Sequence, residues 1–396
     1  VADAVRDRLP DPADPAPRLR LAGLLAITDP PRADAGQVIR AFRDAGVQLL
    51  MITGDHPDTA RAIAARVGIA DAGGEVMTGA ELAAGPDPGR VERARVYARI
   101  RPEQKLDVVR SWQERGHVVA MTGDGVNDAP ALRRADIGVA MGGGTDVARE
   151  AADLVLTDDN LRTVVAAIEE GRRIHGSVRM FLRYALSGGL AEVLVMLFGP
   201  LAGLAVPLLP AQILWINLIT HGLPGVAIGA EPAGGAVMRA APRPPAEHVL
   251  GDGLWRRIGW TGALIAVVAL IVGVWSHRVG GPWQSCVFLT LGLAQLGVAL
   301  ALRRPGGRWP RFLDVAVAGA VLLQLAAVYL PPLRDLLGLA WIGPRELVVA
   351  VLAALLPGLV VALTRRRGRP GPDTVEVSGP AERSGAAEVS GSTAEE

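Results

Sequence analysis

Three clusters in this 396-residue chain combine residue types and spacings able to do chemistry. Thr53-Gly54-Asp55 and Thr122-Gly123-Asp124-Gly125-Val126-Asn127-Asp128 each follow a short apolar run, while Glu192 stands alone in a long apolar stretch. Glycine lets a backbone turn sharply and approach a ligand closely. Threonine hydroxyls and free N–H groups near a helix start hold phosphate oxygens. Carboxylates at the same place repel phosphate unless a hard cation lies between them. Asp124, Asn127 and Asp128 offer only oxygen donors, the set that suits Mg²⁺. Lys105 opens a helical pattern after another apolar run, and its ammonium is a point charge for a phosphate oxygen. A lone Thr-Gly-Asp reads first as a tight turn with an aspartate cap, so the longer string carries the argument.

The elements that must position these groups alternate from Leu19 to Asp159. Candidate strands are Leu21–Ile27, Val47–Ile52, Val96–Ile100, Val118–Met121, Ile137–Ala140 and Leu154–Leu156. Between them lie helical patterns over Ala33–Ala45, Asp58–Val67, Pro102–Arg115 and Ala129–Arg134. Alternation of this kind predicts an α/β domain with a mostly parallel sheet, its ligand outside the carboxyl ends of the strands. Both Thr-Gly-Asp clusters sit at such ends.

The composition then divides the chain. Lys and Arg number 41 against 40 Asp and Glu, a net charge of +1, which argues against a basic nucleic-acid binder. Charged residues are only 20% and hydrophobic ones 50%, and the apolar excess concentrates after residue 180. A hydrocarbon core of about 30 Å needs about 20 apolar residues per helix. Six stretches qualify: Phe181–Leu204, Leu208–Ala230, Ile258–Trp275, Trp283–Leu302, Phe312–Leu330 and Leu347–Leu363. Arginines cluster before the first, between the second and third, between the fourth and fifth, and after the sixth, which by the positive-inside rule puts both chain ends in the cytoplasm. The single cysteine, Cys286, excludes a disulfide framework and a cysteine zinc site. The expected organisation is a linker over 1–18, an α/β domain over 19–160, a stalk helix over 161–180, six membrane helices over 181–364 and a disordered cytoplasmic tail over 365–396. No signal peptide is visible. A chain that opens inside a Pro/Asp-rich linker is expected to be the downstream part of something longer, a non-Met start codon being the alternative.

Ionised groups inside a bilayer cost at least about 2.5–3.5 kcal/mol each at its centre, so the few polar residues of the spans are informative. Glu192 lies in the first span. Asn217, Thr220 and His221 share one face of the second through their three- and four-residue spacing, and Gly222 and Pro224 are placed to break that helix and free carbonyls. A carboxylate with amide, hydroxyl and carbonyl oxygens makes a site for a hard cation. Gln295, in the fourth span, either joins that site or bonds a neighbouring helix. His221 either lines the path or packs as a neutral hydrogen bonder.

The string Thr122–Leu132, TGDGVNDAPAL, resembles the hinge motif of the P-type ATPases, cation pumps with a haloacid-dehalogenase-like phosphorylation domain. Asp29-Pro30-Pro31-Arg32, Met51–Asp55 (MITGD), Tyr97–Pro102 (YARIRP) with Lys105, Asp136–Gly144 (DIGVAMGGG) and Ala152–Asn160 (ADLVLTDDN) follow in the order of that family, so the resemblance covers nearly the whole chain. It implies that Thr53 and Gly54 contact the transferred phosphoryl group, with Asp55 in the same catalytic loop and Lys105 on the phosphoryl oxygens. It places Asp29 and Arg99, with Asp55 nearby, at the nucleotide or the domain hinge, and gives Mg²⁺ to Asp124 with support from Asn127 and Asp128. ATP and Mg²⁺ are the implied cofactors.

The resemblance also implies partners. The family phosphorylates an aspartate in a DKTGT string, which this sequence lacks, and carries actuator and nucleotide-binding domains and earlier helices ahead of the hinge. The chain therefore reads as the carboxyl-terminal part of a pump in a cell membrane, working with an upstream half, the lipid bilayer and the transported cation. A non-catalytic pump remnant serving as a membrane subunit is the rival. Glu192, Asn217 and Thr220 match ion ligands of calcium pumps, but His221 stands where those have an aspartate and Gly189 where they have an asparagine. Imidazole is a poor Ca²⁺ ligand and a better one for transition metals or protons, so the resemblance leaves the ion open.

Overall fold

The computed structural model describes residues 2–3, 20–21, 30–85, 87–231, 237–244, 247–303 and 311–367. Asp29, most of the expected linker and the tail beyond Arg367 lie outside the described residues. The chain forms two compact units, one of Val1–Arg40 with Leu49–Arg101, the other of Ala41–Gln48 with Pro102–Glu396.

In the first unit, two short terminal strands, β1 (Ala2–Asp3) and β2 (Arg20–Leu21), pair antiparallel. Beyond them β3 (Met51–Ile52), β4 (Val76–Thr78) and β5 (Val96–Ala98) form a parallel sheet with β5 in the middle. The sequence pattern did not anticipate β4, a three-residue strand too short to show a period. Helix α1 (Ala35–Asp44), whose residues after Arg40 are counted with the second unit, precedes β3. Helix α2 (Pro57–Val67) follows it, with Pro57 pre-set for the first turn, His56 Nδ1 accepting from Asp58 N at 3.3 Å, and Gly68 closing the end at φ +89°. Its Ala60 and Ala64 pack on Val76, Val96 and Ala98. Two single-turn helices, α3 (Gly79–Ala83) and α4 (Pro88–Arg93), lead from β4 to β5.

The second unit opens with α5 (Pro102–Gln113). Strands β6 (Ala120–Gly123), β7 (Ile137–Met141) and β8 (Leu154–Leu156) form another parallel sheet, in that order, joined by the short helices α6 (Ala129–Arg134) and α7 (Asp146–Ala151). The expected α/β, haloacid-dehalogenase-like pattern is thus present as two three-stranded parallel sheets. Val119 N donates to Asp136 Oδ2 at 2.8 Å, fixing the approach to β6 and holding that carboxyl below its usual range.

Helix α8 (Leu161–Phe198) follows β8 after a four-residue connection. Asn160 Oδ1 caps it by accepting from Arg162 N at 2.9 Å. It runs unbroken for 38 residues, about 57 Å at 1.5 Å per residue. After it come α9 (Pro210–Ile216), a π-helical segment (Asn217–Gly222) and α10 (Leu223–Gly229), which together make one rod. The rest are α11 (Leu254–Arg278), α12 (Trp283–Leu302), α13 (Phe312–Tyr329), the short α14 (Pro331–Leu336) and α15 (Pro344–Arg367). Among the described residues six helices are long and apolar enough to cross a membrane: α8, the α9–α10 rod, α11, α12, α13 and α15. Helix α12 is the central one, with 78% of its apolar window buried against 28% for α15. Leu197, Leu214, Ile271, Leu322 and Leu352 point outward, as lipid-facing leucine and isoleucine do.

Candidate functional site

Thr53 lies just past the end of β3 and is stitched to the strand beside it. Its N–H donates to Tyr97 O at 2.9 Å, and its carbonyl accepts from Ile100 N at 3.1 Å. Its hydroxyl donates to Asp55 Oδ2 at 2.9 Å and accepts from Asp55 N at 3.1 Å, so Thr53-Gly54-Asp55 closes as a small turn with Gly54 and Asp55 exposed. Arg99 donates its backbone N–H to Asp55 O at 3.1 Å from a left-handed backbone, φ +52°. A non-glycine residue there carries a cost of about 1 kcal/mol or more. The first unit therefore brings Thr53, Asp55 and Arg99 together at the carboxyl ends of β3 and β5, with the guanidinium-bearing residue exposed.

In the second unit, β6 delivers Gly123-Asp124-Gly125 to the carboxyl edge of its sheet. No side chain fits at Gly123, where a Cβ would stand 2.6 Å from Asp128 Cβ, or at Gly144, where it would stand 2.9 Å from Asp124 O. Thr145 N donates to Asp124 O at 2.8 Å, and Arg149 Nη1 donates to Gly142 O and Gly144 O at 3.0 and 3.1 Å. The loop under Asp124 is thereby clamped by the Gly142–Gly144 turn. Sequence reading missed Arg149, whose signal is only its place one turn after three glycines.

Asp124 and Asn127 are exposed, and Asp128 is buried. Lys105 Nζ lies 2.5 Å from Asp128 Oδ1, and Gly125 N reaches Asp128 Oδ2 at 3.4 Å. Asp128 is thus a strut between the Lys105 ammonium and the Asp124 loop. Among the described residues no three His, Cys, Asp or Glu side chains converge as a metal cluster. The donor chemistry still fits Mg²⁺, which keeps several waters and needs only one or two carboxylates. Asp124 would be that carboxylate, with Asn127 and Asp128 behind it.

The polar residues of the spans converge. Glu192, on α8, is buried, and both its oxygens receive amide N–H groups: Oε2 from Asn217 Nδ2 at 3.0 Å and Oε1 from Gln295 Nε2 at 3.2 Å. Thr220 Oγ1 lies 2.8 Å from both Gln295 Oε1 and Ile216 O. Here the rod departs from a plain α-helix, since residues 217–222 are wound as a π-turn; the chain widens without unwinding. Pro224 has no N–H, so the Thr220 carbonyl four residues earlier loses its α-helical donor. Tyr184 Oη donates to that carbonyl at 2.7 Å. His221 stands with its ring edge-on to Tyr184, centroids 5.7 Å apart, and its Nε2 is buried. Glu192, Asn217, Thr220, His221 and Gln295 therefore form one cluster. Sequence reading missed Tyr184 and Gly188, yet 184, 188 and 192 are successive four-residue steps on one helical face, a legible signal.

Residues 205–367 match the family model described as the carboxyl terminus of cation transporting ATPases. Residues 2–136 and 107–168 match models of haloacid dehalogenase-like hydrolases. A calcium-transporting ATPase of Bacillus subtilis is 41% identical over 370 residues, which is 88% of this chain and 41% of the relative. A probable cation-transporting ATPase F of Mycobacterium tuberculosis is 40% identical over 376 residues, 89% of this chain and 41% of the relative. A calcium-transporting ATPase 1 of Yarrowia lipolytica is 38% identical over 350 residues, 84% and 38% respectively. The chain spans about two fifths of the length of these relatives.

Proposed function

We propose that the chain belongs to the P-type cation-transporting ATPases, an integral-membrane family of haloacid-dehalogenase-like enzymes, and that it is the carboxyl-terminal part of an ATP-driven pump, coupling aspartyl-phosphate turnover to cation movement past Glu192. The observation that carries this reading is helix α8. It begins beside the sheet that presents Asp124 and continues to Glu192, about 46 Å further along the same rod. A shift of the β6–β7–β8 sheet on phosphorylation therefore has an unbroken lever into the membrane cluster.

In this reading Mg²⁺ neutralises charge on the phosphoryl oxygens when bound. Asp124 holds it, Asn127 and Asp128 support it, and Lys105 shares its ammonium between Asp128 and the phosphoryl group. Thr53 and Gly54 face the phosphoryl oxygens, with Asp55 and Arg99 toward the nucleotide. The aspartate that takes the phosphate, the actuator domain and the nucleotide-binding domain are supplied by upstream sequence. Glu192, Asn217, Thr220 and Gln295 receive the cation, with His221 beside them. The arginine clusters flanking alternate spans support a phosphate site on the cytoplasmic side of a cell membrane, where ATP is.

The test is phosphorylation by ATP of this chain assembled with an upstream half carrying a DKTGT aspartate. An acid-stable, hydroxylamine-sensitive phosphoenzyme that depends on a transported cation is expected. An assembled protein that never forms it defeats the reading.

A further inference from the structure

Among the described residues, every fully buried side-chain polar atom of the membrane cluster but one has a hydrogen-bond partner. The Glu192 oxygens take two amide N–H groups, the Thr220 hydroxyl bonds Ile216 and Gln295, and the Tyr184 hydroxyl serves the Thr220 carbonyl. The exception is His221 Nε2, buried and without a hydrogen-bond partner among the described residues. The glycine at 188 shows where it points. A Cβ built on Gly188 would lie 3.0 Å from His221 Nε2 and 2.9 Å from Gln295 Oε1. His221 Nε2 and Gln295 Oε1 therefore converge on the same bare Gly188 backbone, which leaves them room only because it carries no side chain, and Gln295 itself touches the Glu192 carboxylate.

We infer that the polar groups facing Gly188 belong to the cation site and that His221 Nε2 is a ligand in it, so that the transported ion is a borderline divalent metal of the Mn²⁺, Co²⁺ or Zn²⁺ class in preference to Ca²⁺. The inference rests on the reading of the Glu192 cluster as the transport site. Ca²⁺ seeks six to eight oxygens and gains little from a ring nitrogen, whereas first-row divalent metals take imidazole readily. Glu192 is the single carboxylate of the cluster, so charge alone discriminates weakly among divalent ions, and the nitrogen decides. The Asn217 and Gln295 amides present an oxygen as readily as an N–H after a half-turn of the terminal torsion. They complete the shell together with the Thr220 hydroxyl.

The test uses this chain assembled with its upstream half in lipid nanodiscs, with Co²⁺ followed by X-ray absorption and Mn²⁺ by electron paramagnetic resonance. One bound Co²⁺ with imidazole scattering is expected. His221→Gln should remove that scattering and weaken Co²⁺ and Mn²⁺ about tenfold or more, the order found when a metal's ligand environment is damaged, with a much smaller effect on Ca²⁺. Gly188→Ala, whose Cβ would press on His221 Nε2 and Gln295 Oε1 while keeping both side chains, should also weaken Mn²⁺. An unchanged Co²⁺ spectrum and affinity in His221→Gln, or unchanged Mn²⁺ binding in Gly188→Ala, overturns the inference. If Glu192→Gln abolishes cation binding while His221→Gln does not alter it, only this inference fails. If Glu192→Gln also leaves binding intact, the transport-site reading fails with it.

Discussion

Asp124 and Glu192 are both carboxylates proposed to meet a cation, and the chain handles them in opposite ways. Asp124 is exposed, its side chain left to water, and what the fold controls is the backbone beneath it: Thr145 and the Gly142–Gly144 turn hold its carbonyl. Glu192 is buried, and the fold controls the carboxylate itself, with an amide N–H on each oxygen. Water solvates an aspartate at no structural cost, so a water-side site needs only a shaped loop. A bilayer offers no such solvent, so each polar atom there requires a partner from another helix. The same reasoning makes an orphan atom informative in the membrane and uninformative at the surface.

The largest expected effect tests the membrane side of this contrast. In the assembled pump, Glu192→Gln removes the one charged ligand and should lower apparent cation affinity in ion-dependent phosphorylation by roughly 100-fold, the order for truncating a buried charge contact. Mg²⁺-dependent back-phosphorylation by inorganic phosphate should survive. A cation affinity unchanged in Glu192→Gln would erase the contrast.

Asp124→Asn tests the water side, where a single ligand matters less because Mg²⁺ keeps its waters. The Mg²⁺ requirement of phosphorylation should rise roughly tenfold, with the circular dichroism spectrum unaltered. A wild-type Mg²⁺ requirement would remove Asp124 from the site.

A smaller effect follows from the partnering rule alone. Tyr184→Phe leaves the Thr220 carbonyl without its donor next to Pro224 and should cost about 1 kcal/mol, near the typical worth of one hydrogen bond between membrane helices. Thermal unfolding in nanodiscs reads this as a drop of a few degrees. No drop would mean that the π-turn re-satisfies itself.

The smallest effect is a pH dependence on the water side. Glu81 accepts from the Thr78 backbone N–H at 2.8 Å and from Arg90 at 2.7 Å, which together hold its carboxyl at about 2 against an ordinary 4.5. A depressed folded-state value stabilises above the ordinary one. The capping box of α3 should therefore keep its protection at neutral pH and lose it as pH falls from 4.5 toward about 2. Amide hydrogen exchange over Gly79–Ala83 measures it, and protection unchanged down to pH 2 would show that the cap is held by something else.

Much of this was legible in the residues. The alternation of short apolar runs with amphipathic stretches located β5 to β8 and α1, α2, α5 and α6, and the lengths of the apolar runs located six spans, because both signals are local and set by backbone period and bilayer thickness. The three-residue spacing of Asn217 and Thr220 and the isolation of Glu192 marked polar groups on helical faces for the same reason. Tertiary structure decided what lies between elements. That Gln295, 103 positions from Glu192, touches the same carboxylate depends on how α12 packs against α8. That Lys105 meets Asp128 depends on how the first turn of α5 lies against the turn that follows β6. That His221 Nε2 has no hydrogen-bond partner among the described residues depends on a glycine at 188 and on a π-turn that no sequence period announces. Periodicity fixes which face of a helix a residue occupies; only the packing of one helix against another determines what that face meets.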